Sequence, residues 1–288
     1  MRNAAIRMEG VHVDYPAEGS CTRKILNGID LDIESGEFVS IVGQTGCGKS
    51  TLLRLILAEE APTQGRVIVD GRERSQPERF CGYVPQKYSL FPDKTVLDNV
   101  TFGLDVTELP PFSWLRPSGR RRKREFRVEA LEYLRHTGLQ EADARKYPYQ
   151  LSGGMQQRVA IAQALIMKPP ILLMDEAFSA LDPGTRSGMQ RLIKELWRES
   201  GTTIVFVTHN TREAVCLGTR IIALAKEGSG DQGSSVALDL SVPHAGFDSD
   251  QDEIASVVRE VEAATIPRER VNRSLVAPVA VHAGSSDS

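Results

Sequence analysis

Hydrophobic and polar residues alternate along the first part of the chain in a way that predicts β-strands. The alternation runs loosely through residues 4–15 and returns in Ile25–Ile33, with a turn around Pro16–Ser20 between the two runs. Alternation of this kind is typical of antiparallel strands with one covered face, and we expect the pair to flank the first core strand. That core strand is predicted at Glu37–Val42, where apolar and β-branched residues predominate.

Strands and helices alternate through the rest of the chain and predict an α/β fold. The predicted helices are Leu52–Leu57, Thr95–Leu104, Phe126–Thr137, Met155–Met167, Thr185–Glu199 and an amphipathic Glu253–Ala264. The predicted strands are a hairpin at Arg66–Gly71, then Phe80–Pro85, Ile171–Glu176, Thr202–Val207, Thr219–Ala225 as the last core strand, and a short Val236–Leu240. Because Ile171–Glu176 is apolar up to its two final carboxylates, it suits a central parallel strand.

Residues 105–149 have a different character. An irregular insertion is predicted at their start from the residues Pro110, Pro111, Trp114, Pro117 and Gly119. Arg116–Arg127 then holds seven basic residues against one acid, Glu125. We interpret this basic run as a solvated face or a helix start, and contact with anionic lipid headgroups is the alternative.

Composition limits the classes of function. The chain has 288 residues, of which 41% are apolar and 25% charged, as in ordinary soluble globular proteins. A net charge of −3 argues against wholesale nucleic-acid binding. The four cysteines, at 21, 47, 81 and 216, lack metal-ligand spacing and predict reduced thiols in the cytosol. The sequence shows neither a signal stretch nor an apolar run of about 18 residues, so we do not expect the chain to cross a membrane by itself.

The C-terminal part is expected to lie outside the main domain. Glu227–Glu262 carries nine acids against one base, Arg259. Residues from about 266 onward are polar and contain proline, which predicts disorder. We therefore expect a main domain over residues 1–226, an acidic extension over 227–265 and a disordered tail over 266–288.

One stretch carries a specific chemical signal. It matches the pattern G-x-x-x-x-G-K-[ST] and lies between a predicted strand and a predicted helix. Its backbone N–H groups and the helix dipole predict a phosphate site, in which Lys49 reaches the terminal phosphates and Ser50 ligates magnesium. The candidate residues are Gly43, Gln44, Thr45, Gly46, Cys47, Gly48, Lys49, Ser50 and Thr51.

Polar residues at later strand and helix ends predict the rest of a hydrolytic site. Asp175 is expected to hold magnesium directly or through water, and Glu176 to orient or deprotonate an attacking water. Groups at the carboxyl ends of strands in open α/β sheets meet at one edge. His209 follows the predicted strand Thr202–Val207 and is a candidate sensor of a γ-phosphate. Ser152 is a predicted N-cap before two glycines, which makes a second potential anion site.

Taken together, these motifs resemble those of ABC transporter ATPase subunits in order and approximate spacing, over roughly residues 4–225. The motifs are Gly43–Thr51, Gln86, Leu151–Gln156, Ile171–Glu176, Ser179–Asp182 and His209. The resemblance implies a RecA-like P-loop NTPase core with an antiparallel β-subdomain, and a helical subdomain at roughly 87–165. It implies ATP and Mg²⁺ as cofactors and ATP hydrolysis as the activity, with Lys49, Glu176 and His209 as catalytic residues.

The resemblance also implies roles for residues that the patterns alone leave open. Tyr15 would stack on the base, although by itself it is an ordinary strand tyrosine, and Gln86 would link the metal site to a membrane partner. A second copy would close the site in a head-to-tail dimer, with Asp182 communicating across the interface. The residues implied to bind the nucleotide of the opposite copy are Ser152, Gly153 and Gly154, with Gln156 in the same motif.

Further partners are implied as well. Tyr88–Phe91 would contact an integral membrane permease, and a separate solute-binding protein would act through that permease. The chain would then lie peripherally on the cytoplasmic face of the inner membrane, with no nucleic-acid partner expected.

Within the family, the sequences at 153–158 and 174–186 are similar to the importer branch for nitrate, sulfonates and taurine. Ala177 and Asn210 depart from that branch, which commonly has proline and aspartate there, and the arginine-rich insertion is longer. Solutes such as urea or guanidine therefore stay open.

Two other functions remain as rivals. ABC-type ATPases that act on nucleic acid resemble this chain in their motifs, but they carry long coiled coils between the phosphate loop and the second motif. Here about a hundred residues without sustained heptads separate them. A regulatory module that binds ATP without turnover, with the acidic segment as a docking site, is the other rival.

Overall fold

The computed structural model describes residues 4–16, 22–73, 76, 81–87, 90–112, 116–228, 232–242 and 251–266. The strands are β1 (Ala4–Pro16), β2 (Thr22–Glu34), β3 (Phe38–Gly43), β4 (Gln64–Val69), β5 (Arg72–Glu73), β6 (Cys81–Val84), β7 (Ile171–Asp175), β8 (Thr203–Thr208), β9 (Arg220–Lys226) and β10 (Gln232–Ser241). The helices are α1 (Lys49–Ile56), α2 (Val96–Glu108), α3 (Pro117–His136), α4 (Gly153–Leu165), α5 (Pro183–Ser200), α6 (Thr211–Leu217) and α7 (Gln251–Thr265).

Within the described residues the strands form one ten-stranded sheet in the order β5-β4-β1-β2-β10-β9-β3-β8-β7-β6. The strands from β9 to β6 pair parallel with one another, and β3, β7 and β8 are buried over their full length. The strands from β5 to β2 pair antiparallel. This is the mixed α/β sheet that the sequence patterns predict.

The strand order corrects two expectations. β1 and β2 do pair antiparallel, but they do not flank the core strand β3, because β9 and β10 lie between β2 and β3. β9 is not the last core strand either, because β10 lies inside the same sheet. β10 pairs antiparallel with β9 and parallel with β2, and it is longer than the predicted Val236–Leu240. Its side chains pack to both sides, Val236 towards the main core and Leu238 towards α6 and α7.

The expected irregular insertion is shorter than predicted. Pro117 and Gly119 belong to the twenty-residue helix α3, where Pro117 takes the first helical position. The amide hydrogen that proline lacks has no partner within a helix at that position, so it starts the helix at little cost. The basic run is confirmed as an exposed helix start. Trp114 lies outside the described residues.

Four apolar clusters hold the elements together. Two cover the faces of the central strands, one with α1 and the other with α5. A third, which we call the helical cluster, is built from α2, α3 and α4. The fourth joins α6 and α7 to β9 and β10, so the predicted amphipathic helix near the C-terminus is confirmed.

The predicted disorder of the tail falls on residues 267–288, which lie outside the described residues. Cys47, Cys81 and Cys216 are free thiols, and Cys21 lies outside the described part of the chain. In that part, none of the helices is both long and apolar enough to cross a membrane.

Candidate functional site

The phosphate loop joins the buried strand β3 to helix α1. Gly48 caps this helix with a left-handed φ of 91°, and a Cβ there would lie 2.6 Å from the Leu26 Cδ2 atom. The left-handed backbone favours glycine here, and a larger residue would also displace the Leu26 side chain. Gln44, Thr45 and Gly46 form the exposed lip of the loop, which leaves their backbone groups accessible to an anion.

Lys49 lies buried at the centre of the loop. Its Nζ donates to the carbonyl oxygens of Gly43 at 2.7 Å and Gln44 at 3.1 Å, so the ammonium is held towards the loop that would surround a phosphate. Cys47 packs beneath it, with Sγ 4.0 Å from Nζ. Burial raises the pKa of the Cys47 thiol, which therefore packs as a neutral group.

Asp175 ends the buried strand β7 next to the phosphate loop. Burial raises the pKa of Asp175, a hydrogen bond from Ser50 lowers it, and the charge of Glu176 raises it further. A hydroxyl and a buried carboxylate are hard oxygen ligands of the kind Mg²⁺ uses together with substrate phosphates. No group of three or more His, Cys, Asp or Glu side chains suited to a metal occurs in the described ranges, so this pair is the candidate.

Two other predicted site residues, Gln86 and His209, contact the side chain of Glu176. Its backbone takes a left-handed φ of 45°, and its N–H donates to the Val207 carbonyl at 2.9 Å. This turn aims the carboxylate along the strand ends: Oε2 accepts from Gln86 Nε2 at 2.8 Å, and Oε1 lies 3.2 Å from His209 Nδ1. The Glu176 side chain is 18% exposed and that of His209 is 61% exposed. The arrangement holds a carboxylate beside an accessible imidazole.

Glu213 belongs to the same region, and sequence reasoning missed it. Its carboxylate accepts hydrogen bonds from the hydroxyl of Thr208, which precedes His209, at 2.7 Å and from Gln190 on α5 at 2.6 Å. Burial raises the pKa of Glu213, and the bonds from Thr208 and Gln190 oppose this. The signal was its place near the start of the helix after His209, where Asn210 caps its N–H.

Helix α4 presents the second motif. Ser152 Oγ accepts from the N–H of Met155 at 3.3 Å, as predicted for an N-cap, and Gly153 and Gly154 form the first turn. Gln156 donates to the Leu151 carbonyl at 3.2 Å. Within the described residues, the side-chain hydrogen bonds of Ser152 and Gln156 are made to residues of the second motif. Those of Lys49 are made to residues of the phosphate loop.

The second motif contacts the turn at 179–182 of its own chain. The Ala180 N–H donates to Gln157 Oε1 of α4 at 3.2 Å, and a Cβ on Gly154 would lie 3.5 Å from the Ala180 carbonyl oxygen. Asp182 caps α5 by accepting from the Thr185 N–H at 3.1 Å. A hydrogen bond from the Thr185 side chain, and next the one from its N–H, lower the pKa of Asp182, which is therefore charged at the start of α5.

Comparison with known proteins decides the family. Residues 26–179, more than half of the chain, match the family model described as ABC transporter. The chain belongs to the ABC transporter family of ATP-binding proteins. ATP hydrolysis is the activity of this family, so the chain is an ABC-type ATPase cassette.

Individual relatives agree with this assignment. The cassette is 42% identical to an uncharacterised ABC transporter ATP-binding protein of Methanocaldococcus jannaschii, over 76% of this chain and 77% of that protein. It is 41% identical to the aliphatic sulfonates import ATP-binding protein of Pseudomonas putida, over 77% and 74%. It is 39% identical to a bicarbonate transport ATP-binding protein of Synechococcus elongatus over 84% of this chain, which spans only 35% of that longer protein.

The fold has solved counterparts. A dimeric ATP-binding cassette in a post-hydrolysis state, bound to ADP and phosphate, matches with a TM-score of 0.71 and 35% identity. The match covers 82% of this chain and 98% of the other. The expected ABC ATPase fold is thereby confirmed.

Two further residues of the cassette have defined surroundings. The Tyr15 hydroxyl donates to Glu60 at 2.8 Å and accepts from Arg54 at 3.0 Å, so the side chain is tied to the region of α1. Burial, and next the bond to Glu60, raise the pKa of Tyr15. Phe91 is 37% exposed, while Tyr88 lies outside the described residues. Base stacking by Tyr15 stays a prediction.

Proposed function

We propose that this cassette is the ATP-hydrolysing subunit of an importer, and that it drives uptake of a small solute through a separate membrane subunit. The observation that carries the proposal is the cluster of Gln86, Glu176 and His209 beside Asp175 and the phosphate loop. These groups meet at the carboxyl edge of the parallel strands, where open α/β sheets bind ligands.

In this proposal Glu176 polarises the water that attacks the γ-phosphate. Gln86 and His209 hold its carboxylate from two sides, and the exposed imidazole senses the γ-phosphate. Ser50 and Asp175 would hold Mg²⁺, with Gln86 nearby, and Lys49 would bind the terminal phosphates. The metal ion, when bound, neutralises charge that develops on the phosphate oxygens.

Two copies would complete the site. The Ser152 helix N-terminus, with Gly153, Gly154 and Gln156, would bind the γ-phosphate held by the opposite copy, because its hydrogen bonds do not join it to its own phosphate loop. The dimeric state of the solved cassette that this chain resembles supports this arrangement. Asp182, at the turn that contacts α4, would then communicate across the interface.

The remaining partners follow from the same proposal. The segment around Leu90 and Phe91 would contact a permease, a solute-binding protein would act through that permease, and the cassette would lie on the cytoplasmic face of the membrane. Relatives are named for sulfonates, bicarbonate and polyamines, so we propose a small polar solute, with sulfonate-like anions first. Stimulation of the co-purified complex by one solute identifies it.

The decisive experiment replaces Glu176 with Gln. We expect Glu176→Gln to bind ATP and to accumulate as a dimer, with hydrolysis slower by about a hundredfold or more because a general base is lost. Glu195→Gln on the exposed face of α5 is the matched control and should hydrolyse like the parent. Phosphate release and light scattering measure the two effects. Hydrolysis by Glu176→Gln near the parent rate would remove Glu176 from this role.

A further inference from the structure

Helix α3 and the end of α2 form a charged cleft that the ATPase does not use. The cleft has a volume of about 480 Å³ and lies between the start of α3 and residues 109–111. Its basic side chains come from α3 at positions 120, 123, 124 and 127, the spacing of one helix face. The basic residues are Arg120, Lys123, Arg124 and Arg127, and the opposite wall is Leu109, Pro110 and Pro111, with Asp105 as the acid.

The sign of this charge sets the cleft apart from an ordinary solvated helix face. Solvated faces usually alternate in sign, whereas Arg116–Arg127 holds seven bases against one acid in a chain with a net charge of −3. The ion pairs within it are solvent-exposed. Lys123 lies 3.7 Å from Asp105 and Arg127 lies 3.1 Å from Asp98, with basic side chains 46% and 47% exposed. Exposed pairs of this kind are weak, so these cations can exchange their partners for phosphates.

Three exposed apolar residues follow directly in sequence after residues that line the cleft. Val106 is 56% exposed, Phe112 71% and Val128 55%. Phe112 follows the two prolines of the cleft wall and takes a left-handed φ of 62°, and its aromatic side chain is largely exposed to solvent. Basic residues with adjacent exposed apolar residues are the composition of surfaces that bind the interface of anionic bilayers.

The position of the cleft agrees with a membrane partner. Asn99 of α2 accepts from the Phe91 N–H at 2.8 Å and donates to the Phe91 carbonyl at 3.1 Å. The segment expected to meet the permease is therefore fixed to α2. The cleft runs along the same helix, from Arg127, which pairs with Asp98 beside Asn99, to the wall that follows the helix end. A permease is embedded in lipid, so this step rests on the proposed function.

We propose that the cleft and the three exposed apolar residues next to it in sequence, which we call the basic cleft, bind the anionic phospholipid surface beside the permease. Phosphate groups of the lipid pair with Arg120, Lys123, Arg124 and Arg127, and Phe112 enters the headgroup region. The cassette thereby contacts the membrane directly as well as through its permease.

Vesicle co-sedimentation of the full chain tests this proposal. We expect binding to vesicles rich in phosphatidylglycerol, none to pure phosphatidylcholine, and loss of binding as salt is raised. The double variant Arg120→Ala/Arg124→Ala should bind about twentyfold more weakly, since each near-surface basic residue contributes about a fivefold factor. Phe112→Asn, which keeps a residue tolerant of positive φ, should bind severalfold more weakly.

The matched control removes the same charge elsewhere. Arg135→Ala/Arg198→Ala changes two exposed arginines outside the cleft and should bind like the parent. Equal weakening in both double variants would overturn the proposal, because net charge would then explain the binding. Preferential retention by DNA, or full competition by free glycerol phosphate, would also overturn it. Melting curves confirm that every variant is folded.

The same samples separate this inference from the proposed function. Vesicle binding without ATP turnover in the parent would sustain the basic cleft and overturn the proposed function. Turnover without vesicle binding would do the reverse.

Discussion

The edge of the sheet and the helical cluster are built differently, although we propose that both take part in one reaction. Lys49 begins α1, which follows the strand β3. Asp175 ends the strand β7, and Glu176 comes directly after it. Both strands are buried over their full length. Ser152 stands at the start of α4, which packs on two sides. Val159 and Ala162 belong to the helical cluster, while Ile161 and Ala164 belong to the central cluster that contains α5. The groups proposed for hydrolysis thus stand on the central strands, while the helix proposed to close the site is shared between the central core and the helical cluster.

The largest expected effect separates the two cores. Phe206→Ala removes a fully buried ring that packs 5.3 Å from Phe178, and should cost about 3–5 kcal/mol of unfolding free energy together with ATP binding. Phe126→Ala opens the helical cluster at a cost in the same range. In this variant ATP binding should survive in the remaining folded protein, while hydrolysis falls.

Urea unfolding and nucleotide binding measure both changes. If Phe126→Ala loses ATP binding in parallel with Phe206→Ala, the two cores form one cooperative unit and the comparison fails.

Glu213 tests whether a buried carboxylate behind the strand ends affects catalysis as well as stability. Glu213→Ala leaves Thr208 and Gln190 without a buried partner and should cost about 1–3 kcal/mol of stability. Because Thr208 precedes His209, we expect kcat for ATP to fall about tenfold with KM unchanged, which corresponds to about 1.4 kcal/mol in the barrier. Glu213→Gln, which keeps the shape, should recover part of the rate. A stability loss with a normal kcat would make Glu213 purely structural.

The N-caps Ser152 and Thr95 allow an effect on stability to be separated from an effect on turnover. Ser152→Ala and Thr95→Ala each remove a side chain that accepts from the first turn, and each should cost about 1 kcal/mol. Only Ser152→Ala should also slow turnover, since Ser152 alone is proposed to meet the nucleotide of the opposite copy. Melting temperature and phosphate release distinguish the two outcomes, and equal turnover in both variants would argue against a role of Ser152 at the dimer interface.

The smallest effect concerns pH. Burial raises the pKa of Asp175, so its contribution to stability is fully present below the ordinary carboxyl pKa and is lost as pH rises through the folded value. Without nucleotide, Asp175→Asn should therefore gain stability over the parent as pH rises through this window. Asp182 has a lowered pKa, so its contribution is present above the ordinary value and is lost as pH falls through the folded value. Melting curves of both Asn variants against pH should thus show opposite trends.

Local signals predicted much of the fold and the placement of the site. The glycine loop, the buried strands and the N-cap Ser152 depend on neighbours in sequence, and the structure places each as expected. Pairing between distant strands carries no such local signal, so the position of β10 between β2 and β9 could not be predicted.

Other features depended on contacts that no single segment reveals. Pro117 resembles a helix breaker until its place at the first helical position is known. Glu213 resembles a surface acid until Gln190 and Thr208 close over it. The lysine of the loop was expected at phosphates, and its bonds to two loop carbonyls became visible only in three dimensions.

The strand order also has a consequence for biosynthesis. In the sheet, β1 and β2 join the parallel strands through β10, which is made about two hundred residues after them. During synthesis, the edge of β2 that pairs with β10 therefore stays unpaired until the chain has emerged beyond residue 241. Such distant pairing is slow to form and leaves strand edges exposed to aggregation, so we expect this step to limit the folding rate of the nascent protein.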